Sequence, residues 1–325
     1  MPSIPRIIHQ TWKNSDIPEP YHSYQQSVRE QHPDWEHRLW TDADNRAFIA
    51  EEYPEFLPTY DGYSHEIERV DAVRYFILLK FGGVYLDLDM ECLKPLDGLL
   101  SEDNTAYFGQ LALPTIDNCV TGNAFMAAPA AHPLFAYITK QLPRVIKSDI
   151  THADVLDNTG PYMLSRQLEA FGPLCAHQKV SLSDVCDYDV LTENPAFAGK
   201  SVEQIYSERL LYLVHRHSNS WNIQHPPPMA VEGFTVLLDC DIPGADIGYV
   251  EYPPGAYQQI AERCISSEGA VAFNYNGYIK SAAAELEAVG KDSAWLKPGQ
   301  RAWVAVRNEH VSSLDIEGFE LSKAE

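Results

Sequence analysis

The stretch that decides the fold is Gly82-Gly83-Val84-Tyr85-Leu86-Asp87-Leu88-Asp89. Before it, apolar residues recur at helical spacing over residues 65–80, and the two glycines supply a helix stop. After the glycines, aliphatic residues alternate with Tyr85, Asp87 and Asp89, which predicts a strand with both aspartates on one face. A helix followed at once by a buried strand is the repeating unit of an open, mostly parallel α/β sheet.

Other segments extend this sheet in both directions. Residues 5–12 predict a first buried strand, and residues 35–40 alternate like a second strand. The sequence Thr41-Asp42-Ala43-Asp44 then predicts a helix start. Residues 210–214 predict another core strand.

A proline run divides the chain of 325 residues. The sequence His225-Pro226-Pro227-Pro228 can continue neither a helix nor a central strand, which predicts a boundary near residues 222–232. We therefore expect a main α/β domain over residues 1–225 and a small C-terminal domain, α+β or β-rich, over residues 232–325.

The sequence is acidic, with 46 Asp and Glu against 24 Lys and Arg and a formal charge of −22. Such a surface repels nucleic-acid phosphates, so we expect no nucleic-acid partner. The first residues lack the apolar run of a signal peptide, and no window reaches the ~18 apolar residues of a spanning helix. We expect a cytoplasmic protein with no membrane span; peripheral membrane contact is compatible with the sequence.

The cysteines show no CxxC spacing, which disfavours a zinc site. In a reducing cytosol they are expected to be free buried thiols. A disulfide between Cys240 and Cys264 would require export.

Asp87 and Asp89 are the first candidate site. On an extended strand their Cα atoms would lie roughly 6.5 Å apart with both side chains on one face, so one divalent cation could reach both. Hard cations such as Mg²⁺ and Mn²⁺ bind carboxylate and phosphate oxygens together, so such an ion could bridge the strand end to a diphosphate. A solvated strand edge is the alternative, although ligands gather at the carboxyl ends of strands in open α/β sheets.

The preceding helix carries Asp71 and Arg74, three residues apart and so on one face. An exposed ion pair is one interpretation, but the neighbouring Val70, Val73 and Ile77 predict a largely buried helix. A buried charged pair indicates a site in which Asp71 accepts sugar hydroxyls and Arg74 meets phosphate or sugar oxygens.

Three stretches together resemble glycosyltransferase family 32, which includes α-1,6-mannosyltransferases and inositol-phosphoceramide mannosyltransferases and shares its core with glucosylating bacterial toxins. The stretches are residues 4–13, 71–78 and 82–89, and the likeness extends to residues 94–97, 158–161 and 215–221. It covers roughly residues 4 to 222. The resemblance implies a GT-A fold, which is Rossmann-like and binds nucleotide-sugars, a divalent metal, usually Mn²⁺ and otherwise Mg²⁺, and retention of anomeric configuration.

The resemblance also assigns a catalytic group: Asp71, Arg74, Asp87 and Asp89. Asp71 and Arg74 would hold the donor sugar and phosphate. Asp87 and Asp89 would bind sugar, ribose and metal, and His215 would complete the metal shell.

The implied donor site is larger. Trp12 would stack on the nucleotide base, and Ser220 and Trp221 would contact the diphosphate from a mobile loop. By composition alone Trp12 would more often be a core residue, and Thr159-Gly160-Pro161 is an ordinary turn. The donor-binding residues predicted in this way are Gln10, Thr11, Trp12, Asp71, Arg74, Tyr85, Asp87, Asn123, Thr159, Gly160, Pro161, Ser220 and Trp221.

The sequence departs from the family pattern at one motif. The family ending His-His-Trp-x-Gly-Ser-Trp reads His215-Arg216-His217-Ser218-Asn219-Ser220-Trp221 here, so that the Trp and the Gly are replaced. The membrane anchor typical of the Golgi members is also not seen.

The expected activity is metal-dependent transfer of a hexose from a GDP- or UDP-sugar to a glycan, glycolipid or protein acceptor. For a retaining enzyme we expect same-face attack by the acceptor hydroxyl, with Asp71 as a covalent nucleophile the alternative. One rival is a haloacid-dehalogenase-like phosphatase or phosphotransferase, although Met90-Glu91-Cys92 follows the acidic pair instead of the usual Thr or Val and Gly. The other is a non-enzymatic carbohydrate-binding protein on a transferase scaffold.

The C-terminal residues carry a second, weaker resemblance. Residues 241–247, Cys264 and residues 271–280 are similar to apple/PAN-like modules, which often bind carbohydrate or protein. A structural lid or a dimer surface is the alternative.

Overall fold

A computed structural model of the chain describes residues 3–111, 120–142, 152–187, 191, 194–216, 228, 230–238, 240–242, 246–249, 257–275, 278–281, 287–288, 302–313 and 320–321. The chain divides into two compact units, Met1–His217 and Ser218–Glu325.

The first unit alternates helices with strands. Its helices are α1 (Glu19–Gln31), α2 (Asp42–Glu52), α3 (Leu57–Gly62), α4 (Glu66–Phe81), α5 (Pro133–Gln141), α6 (His152–Asn158), α7 (Pro161–Phe171) and α8 (Val202–Ser207). Its strands are β1 (Ile7–Trp12), β2 (Glu36–Thr41), β3 (Gly83–Leu86), β4 (Met90–Cys92), β5 (Ala106–Leu111), β6 (Val120–Ala128), β7 (His177–Val180), β8 (Val185–Asp187) and β9 (Leu213–His215).

Six of these strands form one mixed sheet, in the order β2-β1-β3-β6-β5-β7. The strand β1 runs parallel to both β2 and β3, whereas β6 runs antiparallel to β3 and β5. The carboxyl ends of β1, β2 and β3 therefore lie at one edge of the sheet, where ligands gather in open α/β folds. The predicted α/β class of this unit is confirmed.

The helix α4 is buried along most of its length and packs in the main core of the unit. It ends at Phe81 as predicted, because Gly82 and Gly83 follow with φ of 63° and 92°, a region that side chains rarely adopt. A Cβ on Gly83 would lie 2.5 Å from the Ile7 carbonyl oxygen. The predicted helix start at Thr41 is also confirmed, since its hydroxyl and the Asp44 side chain form a capping box.

The structure differs from the sequence prediction at two strand ends. The strand β3 stops at Leu86, and Asp87 to Met90 form a turn in which the Met90 N–H donates to the Asp87 carbonyl, 3.1 Å away. The two aspartates therefore lie in a turn and not on one extended face. The later strand starts at Leu213 instead of residue 210, because the ladder with β4 covers only three residues.

A small second sheet, in the order β4-β9-β8, holds the end of that turn. The strand β9 pairs antiparallel with β4 and parallel with β8, and His215 lies opposite both Met90 and Asp187. This pairing brings residue 215 beside the acidic turn, 126 positions earlier at Asp89.

The second unit is a mixed α+β unit, as expected of the C-terminal appendage. Its described elements are β10 (Phe234–Leu238), β11 (Cys240–Asp241), β12 (Asp246–Tyr249), α9 (Tyr257–Ser266), β13 (Ala270–Asn274), β14 (Tyr278–Ser281), β15 (Glu287–Ala288), β16 (Trp303–Arg307) and β17 (Glu320–Leu321). Six strands form an antiparallel sheet in the order β12-β14-β13-β16-β10-β17. Its core surrounds the fully buried Trp303.

Two features of the described residues bear on the sequence predictions. Among the described cysteines, Cys92, Cys175, Cys186 and Cys264 are free thiols, so the Cys240–Cys264 disulfide is not formed. No helix in the same part of the chain is long and apolar enough to cross a membrane. The domain limits at residues 225 and 232, and the likeness of the tail to apple/PAN modules, stay predictions.

Candidate active site

Asp87, Asp89 and His215 meet at the junction of the two sheets of the first unit. One ligand atom from each lies within 4.8 Å of the corresponding atoms of the other two. The His215 Nε2 is 3.6 Å from Asp89 Oδ1, and both side chains are about nine-tenths buried. Carboxylate oxygens with one imidazole nitrogen are ligands that Mn²⁺ accepts, so this donor set fits a divalent cation.

The turn itself places the two aspartates. The Asp87 N–H donates to the Ala124 carbonyl on β6, 2.9 Å away, and this bond extends the β3–β6 ladder by one residue. The chain then turns within three residues and enters β4 at Met90, opposite His215. The turn therefore brings both carboxylates close to one point, as the predicted extended strand would have done.

Asp187, at the end of β8, supports His215 from the side opposite Asp89. The His215 Nδ1 lies 3.1 Å from Asp187 Oδ1 and donates to it, which leaves Nε2 facing Asp89. Burial alone would lower the pKa of His215, but the two carboxylates outweigh it and raise the pKa well above its usual value. Sequence reasoning did not select Asp187, and its only signal is an acid at the end of the short apolar run Val185-Cys186.

Arg74 links this cluster to α4. Its Nη1 lies 3.1 Å from Asp87 Oδ1 and donates to the Asn123 carbonyl at 2.9 Å, while its Nη2 lies 3.0 Å from Asp71 Oδ1. The guanidinium also lies over the Tyr85 ring, 4.6 Å from its centroid. Burial opposes the charge, but Asp87, Tyr85 and Asp71 raise the pKa of Arg74, so the buried guanidinium stays ionised.

Asp71 is held on both carboxylate oxygens. Oδ1 accepts from Asn123 Nδ2 at 2.9 Å, and Oδ2 accepts from the Thr159 hydroxyl at 3.3 Å. Burial raises the pKa of Asp71 to about 6, while Arg74 works in the opposite direction. The side chain is therefore fixed in place and mostly ionised at neutral pH.

Gly160 allows this close packing. A Cβ at that position would lie 2.9 Å from Leu156 Cα and 3.4 Å from Asp71 Oδ2. Tyr75 fixes the same segment, because its hydroxyl donates to the Thr159 carbonyl at 2.8 Å. Pro161 follows as the first residue of α7.

A chain of hydroxyls connects β1 to the acidic turn. The Thr11 hydroxyl lies 2.8 Å from the Tyr85 hydroxyl, which donates to Asp87 Oδ1 at 2.9 Å. Asp87 thus accepts hydrogen bonds from Tyr85 and Arg74 on one side, and it faces Asp89 and His215 on the other. Its pKa is raised by burial, which outweighs the attraction of Arg74.

The other predicted donor residues are placed less directly. Gln10 lies on the strand face opposite Thr11, buried, and its Nε2 has no hydrogen-bond partner in the part of the chain that the structure describes. Trp12 is partly exposed and its ring centroid is 5.1 Å from that of Tyr21. Ser220 and Trp221 lie outside the described residues. The roles of these four in donor binding stay predictions.

Comparison with known proteins identifies the region that carries this cluster. Residues 18–106 match the family described as glycosyltransferase sugar-binding region containing DXD motif, and this stretch holds Asp71, Arg74, Asp87 and Asp89. This region of the chain is similar to the sugar-binding region of DXD-containing glycosyltransferases.

Two named proteins are similar to about half of the chain. It is 44% identical over 164 residues to inositol phosphoceramide mannosyltransferase 3 of Schizosaccharomyces pombe, a match that covers 50% of this chain and 44% of that protein. It is 42% identical over 163 residues to mannosyl phosphorylinositol ceramide synthase SUR1 of Saccharomyces cerevisiae, covering 50% and 41%. The chain thus spans about half the length of these relatives, or somewhat less.

Among solved structures, the chain is similar to mouse xyloside xylosyltransferase 1. The TM-score is 0.38 at 11% identity, and the match covers 64% of this chain and 96% of that one.

The first unit also has a charged pocket of about 240 Å³. Its lining residues are Asp42, Arg46, Tyr60, Asp61, Glu66 and Arg69. Two of them, Arg69 and Glu66, lie on α4 before Arg74. At a rise of 1.5 Å per residue, they precede Arg74 by about 7.5 Å and about 12 Å along the helix axis. Burial raises the pKa of Asp42, and the charge of Glu66 adds to this effect.

Proposed function

We propose that this chain is a family 32 enzyme that transfers a hexose from a nucleotide-sugar to an acceptor hydroxyl, and that Asp87, Asp89 and His215 hold a divalent cation, Mn²⁺ or Mg²⁺, for that reaction. One observation carries the proposal. Asp87 belongs both to the cluster with Asp89 and His215 and to the buried group of Arg74 and Asp71. A diphosphate at the first group and a sugar at the second would therefore be neighbours, as a nucleotide-sugar requires.

The leaving diphosphate gains negative charge as the bond to the anomeric carbon breaks. Asp87, Asp89 and His215 would hold a divalent cation there, and that cation would supply positive charge beside the diphosphate. Arg74 contributes a second, permanently charged group whose position is fixed by four partners on three elements. Preorganised charge of this kind is usually the largest catalytic contribution, and removal of one such contact costs about 10² to 10³ in rate.

Asp71 would position the sugar rather than attack it. Both of its oxygens already accept hydrogen bonds, and Arg74 lies 3.0 Å away, so the carboxylate is neither free to move nor strongly nucleophilic. Same-face attack by the acceptor hydroxyl, with retention of configuration, fits this arrangement better than a covalent intermediate on Asp71.

The charged pocket on α4 is the candidate site of the nucleotide base. Its carboxylates and Arg69 offer both acceptors and donors. Guanine presents N–H donors on one edge and the O6 and N7 acceptors on another, and Arg commonly pairs with that second edge. We therefore favour a GDP-sugar over a UDP-sugar, with mannose as the hexose because the relatives named above are mannosyltransferases. A glycolipid is the favoured acceptor on the same ground.

Two measurements on the full chain test the proposal. The first is thermal stabilisation by GDP-mannose, UDP-glucose and UDP-galactose, with Mn²⁺ or with EDTA; a donor at a hundred times its Kd stabilises by about 2.7 kcal/mol. The second is release of nucleoside diphosphate from the stabilising donor. We expect both to need the metal and to be lost in Asp89→Asn, while Asp184→Asn, a matched change in the turn before β8, retains both.

Some results would contradict the proposal. They are metal-independent stabilisation, full activity of Asp89→Asn, or no response to any nucleotide-sugar. Release of inorganic phosphate from a phosphate monoester, with no nucleotide-sugar present, would indicate the phosphatase chemistry instead.

A further inference from the structure

Arg216 follows His215 directly and links the two segments that carry the candidate metal ligands Asp89 and His215. Its backbone N–H donates to the Asp89 carbonyl at 3.0 Å. Its guanidinium donates to Glu91 Oε2 twice, from Nε at 3.0 Å and from Nη2 at 2.5 Å. Glu91 lies two residues after Asp89, so a single side chain bridges the strand of one candidate ligand to the strand of the other.

A third side chain closes this bridge. The Tyr206 hydroxyl accepts from Arg216 Nη2 at 2.7 Å and donates to Glu91 Oε2 at 3.0 Å. The rings of Tyr24 and Tyr206 lie 5.5 and 5.6 Å from the guanidinium carbon. The side chains of Arg216 and Glu91 are only 19% and 20% exposed, so the group is shielded from water far more than an ordinary surface ion pair.

The backbone ladder between the two candidate ligand segments is short. The strands β4 and β9 pair over only three residues, and the last pair, Met90 with His215, lies at the end of the ladder. Ladder ends fray, whereas a metal site needs ligand atoms fixed to within a few tenths of an ångström. The Arg216–Glu91–Tyr206 group lies at this end of the ladder, where fraying would separate His215 from Asp89.

We infer that Arg216 is a positioning residue for the divalent cation: with Glu91 and Tyr206 it holds Asp89 and His215 at the separation that one ion requires. This inference rests on the proposed metal site, but it concerns binding of the ion and not transfer of the sugar. The pairing with Glu91 also cancels the charge of Arg216, so the guanidinium does not repel a nearby cation.

A purely electrostatic role for Arg216 makes the opposite prediction for one variant. If only charge mattered, Arg216→Met would remove a positive charge, leave Glu91 negative and tighten Mn²⁺ binding. If Arg216 positions the ligands, the same change weakens binding. Glu91→Gln weakens binding under both roles, so Arg216→Met is the variant that separates them.

The experiment is titration of the full chain with Mn²⁺ alone, followed by the electron paramagnetic resonance signal of the free ion, beside thermal unfolding of the metal-free protein. We expect Arg216→Met to raise the Kd for Mn²⁺ about 10- to 100-fold, the usual effect of removing a supporting partner of a metal ligand. Arg216→Lys keeps the charge but lacks the planar fork and should weaken binding less. Tyr206→Phe should have the smallest effect.

Arg6→Met is the control, because it also removes one positive charge from an ion pair, with Asp97, but on an exposed surface. It should leave the Kd unchanged. Unchanged or tighter Mn²⁺ binding by Arg216→Met would overturn the inference. If that variant does not fold, an unchanged Kd in Arg216→Lys overturns it. Because no donor is present, loss of the proposed transferase activity for another reason leaves this result unaffected, and failure of the wild-type chain to bind Mn²⁺ would refute both proposals.

Discussion

The His215 Nδ1 donates to Asp187 Oδ1 over 3.1 Å, and this bond orients the imidazole so that Nε2 faces Asp89. Asp187 is buried, on a different strand from either aspartate of the acidic turn. A carboxylate behind a metal-binding histidine fixes both the tautomer and the ring plane. The candidate metal site is therefore formed at the ends of three strands, and Asp187 supports it without being one of the candidate ligands.

The first prediction follows from this bond. In Asp187→Ala the ring can rotate and Nδ1 loses its acceptor, so we expect Mn²⁺ affinity to fall about 10- to 100-fold. Isothermal titration with Mn²⁺ measures the change. Asp184→Ala, in the preceding turn, is the control and should bind normally; equal affinities for the two variants would show that Asp187 does not support His215.

A second prediction concerns stability. Arg74→Met leaves Asp71 buried without the charge that compensates it, and loss of one partner of a buried pair costs about 3 to 5 kcal/mol. Urea unfolding of the metal-free protein measures this. Arg6→Met removes an exposed partner and should change the free energy of unfolding by less than about 1 kcal/mol. A small effect of Arg74→Met would mean that water reaches Asp71.

The architecture could be predicted where one local signal was strong. The helical spacing before Gly82 and the two glycines with positive φ define α4 and its end, and the structure agrees at both points. The prediction of an extended strand through Asp89 was wrong, because the alternation of Leu86, Asp87 and Leu88 looks the same in a strand and in a tight turn. What decides between them is the long-range pairing of β4 with β9.

The supporting residues of the site could not be predicted for the same reason. Asp187, Arg216 and Glu91 come together only through the small sheet, whose strands are three residues long and lie far apart in the sequence. Single acidic or basic residues in short strands carry no periodic signal. By contrast, Asp71 and Arg74 could be selected as candidates because they lie three residues apart on one helix.

A third prediction concerns pH. His9 is fully buried; Trp40 Nε1 donates to its Nδ1 at 3.1 Å, and its Nε2 donates to the Gly82 carbonyl at 3.0 Å. The neutral ring satisfies both bonds, and burial lowers the pKa of His9 from 6.5 to about 4. The unfolded chain therefore binds a proton at His9 below pH 6.5 that the folded protein does not bind until about pH 4, so stability is lost as the pH falls through this window.

The measurement compares wild type with His9→Gln. The stability advantage of wild type should be constant above pH 6.5 and shrink by up to about 3 kcal/mol between pH 6.5 and pH 4. Asp71 acts in the opposite direction, because its raised pKa makes the folded state bind a proton first. That contribution is present in both proteins and cancels in the difference. A difference independent of pH would contradict the prediction.

The last prediction tests the packing of the corner between α6 and α7. In Gly160→Ala the new methyl group would lie 2.9 Å from Leu156 Cα and 3.4 Å from Asp71 Oδ2. Because the first contact is with a backbone atom, the segment between α6 and α7 must shift. We expect this shift to move Thr159 away from Asp71. We expect about 1 to 3 kcal/mol of lost stability, typical of overpacking, and weaker binding of the donor.

The control is Gly109→Ala, where the nearest atoms are 3.6 Å away and an added methyl group makes ordinary contacts. Donor affinity by thermal shift should fall only in the first variant; normal donor binding by Gly160→Ala would show that Asp71 keeps its place without this corner.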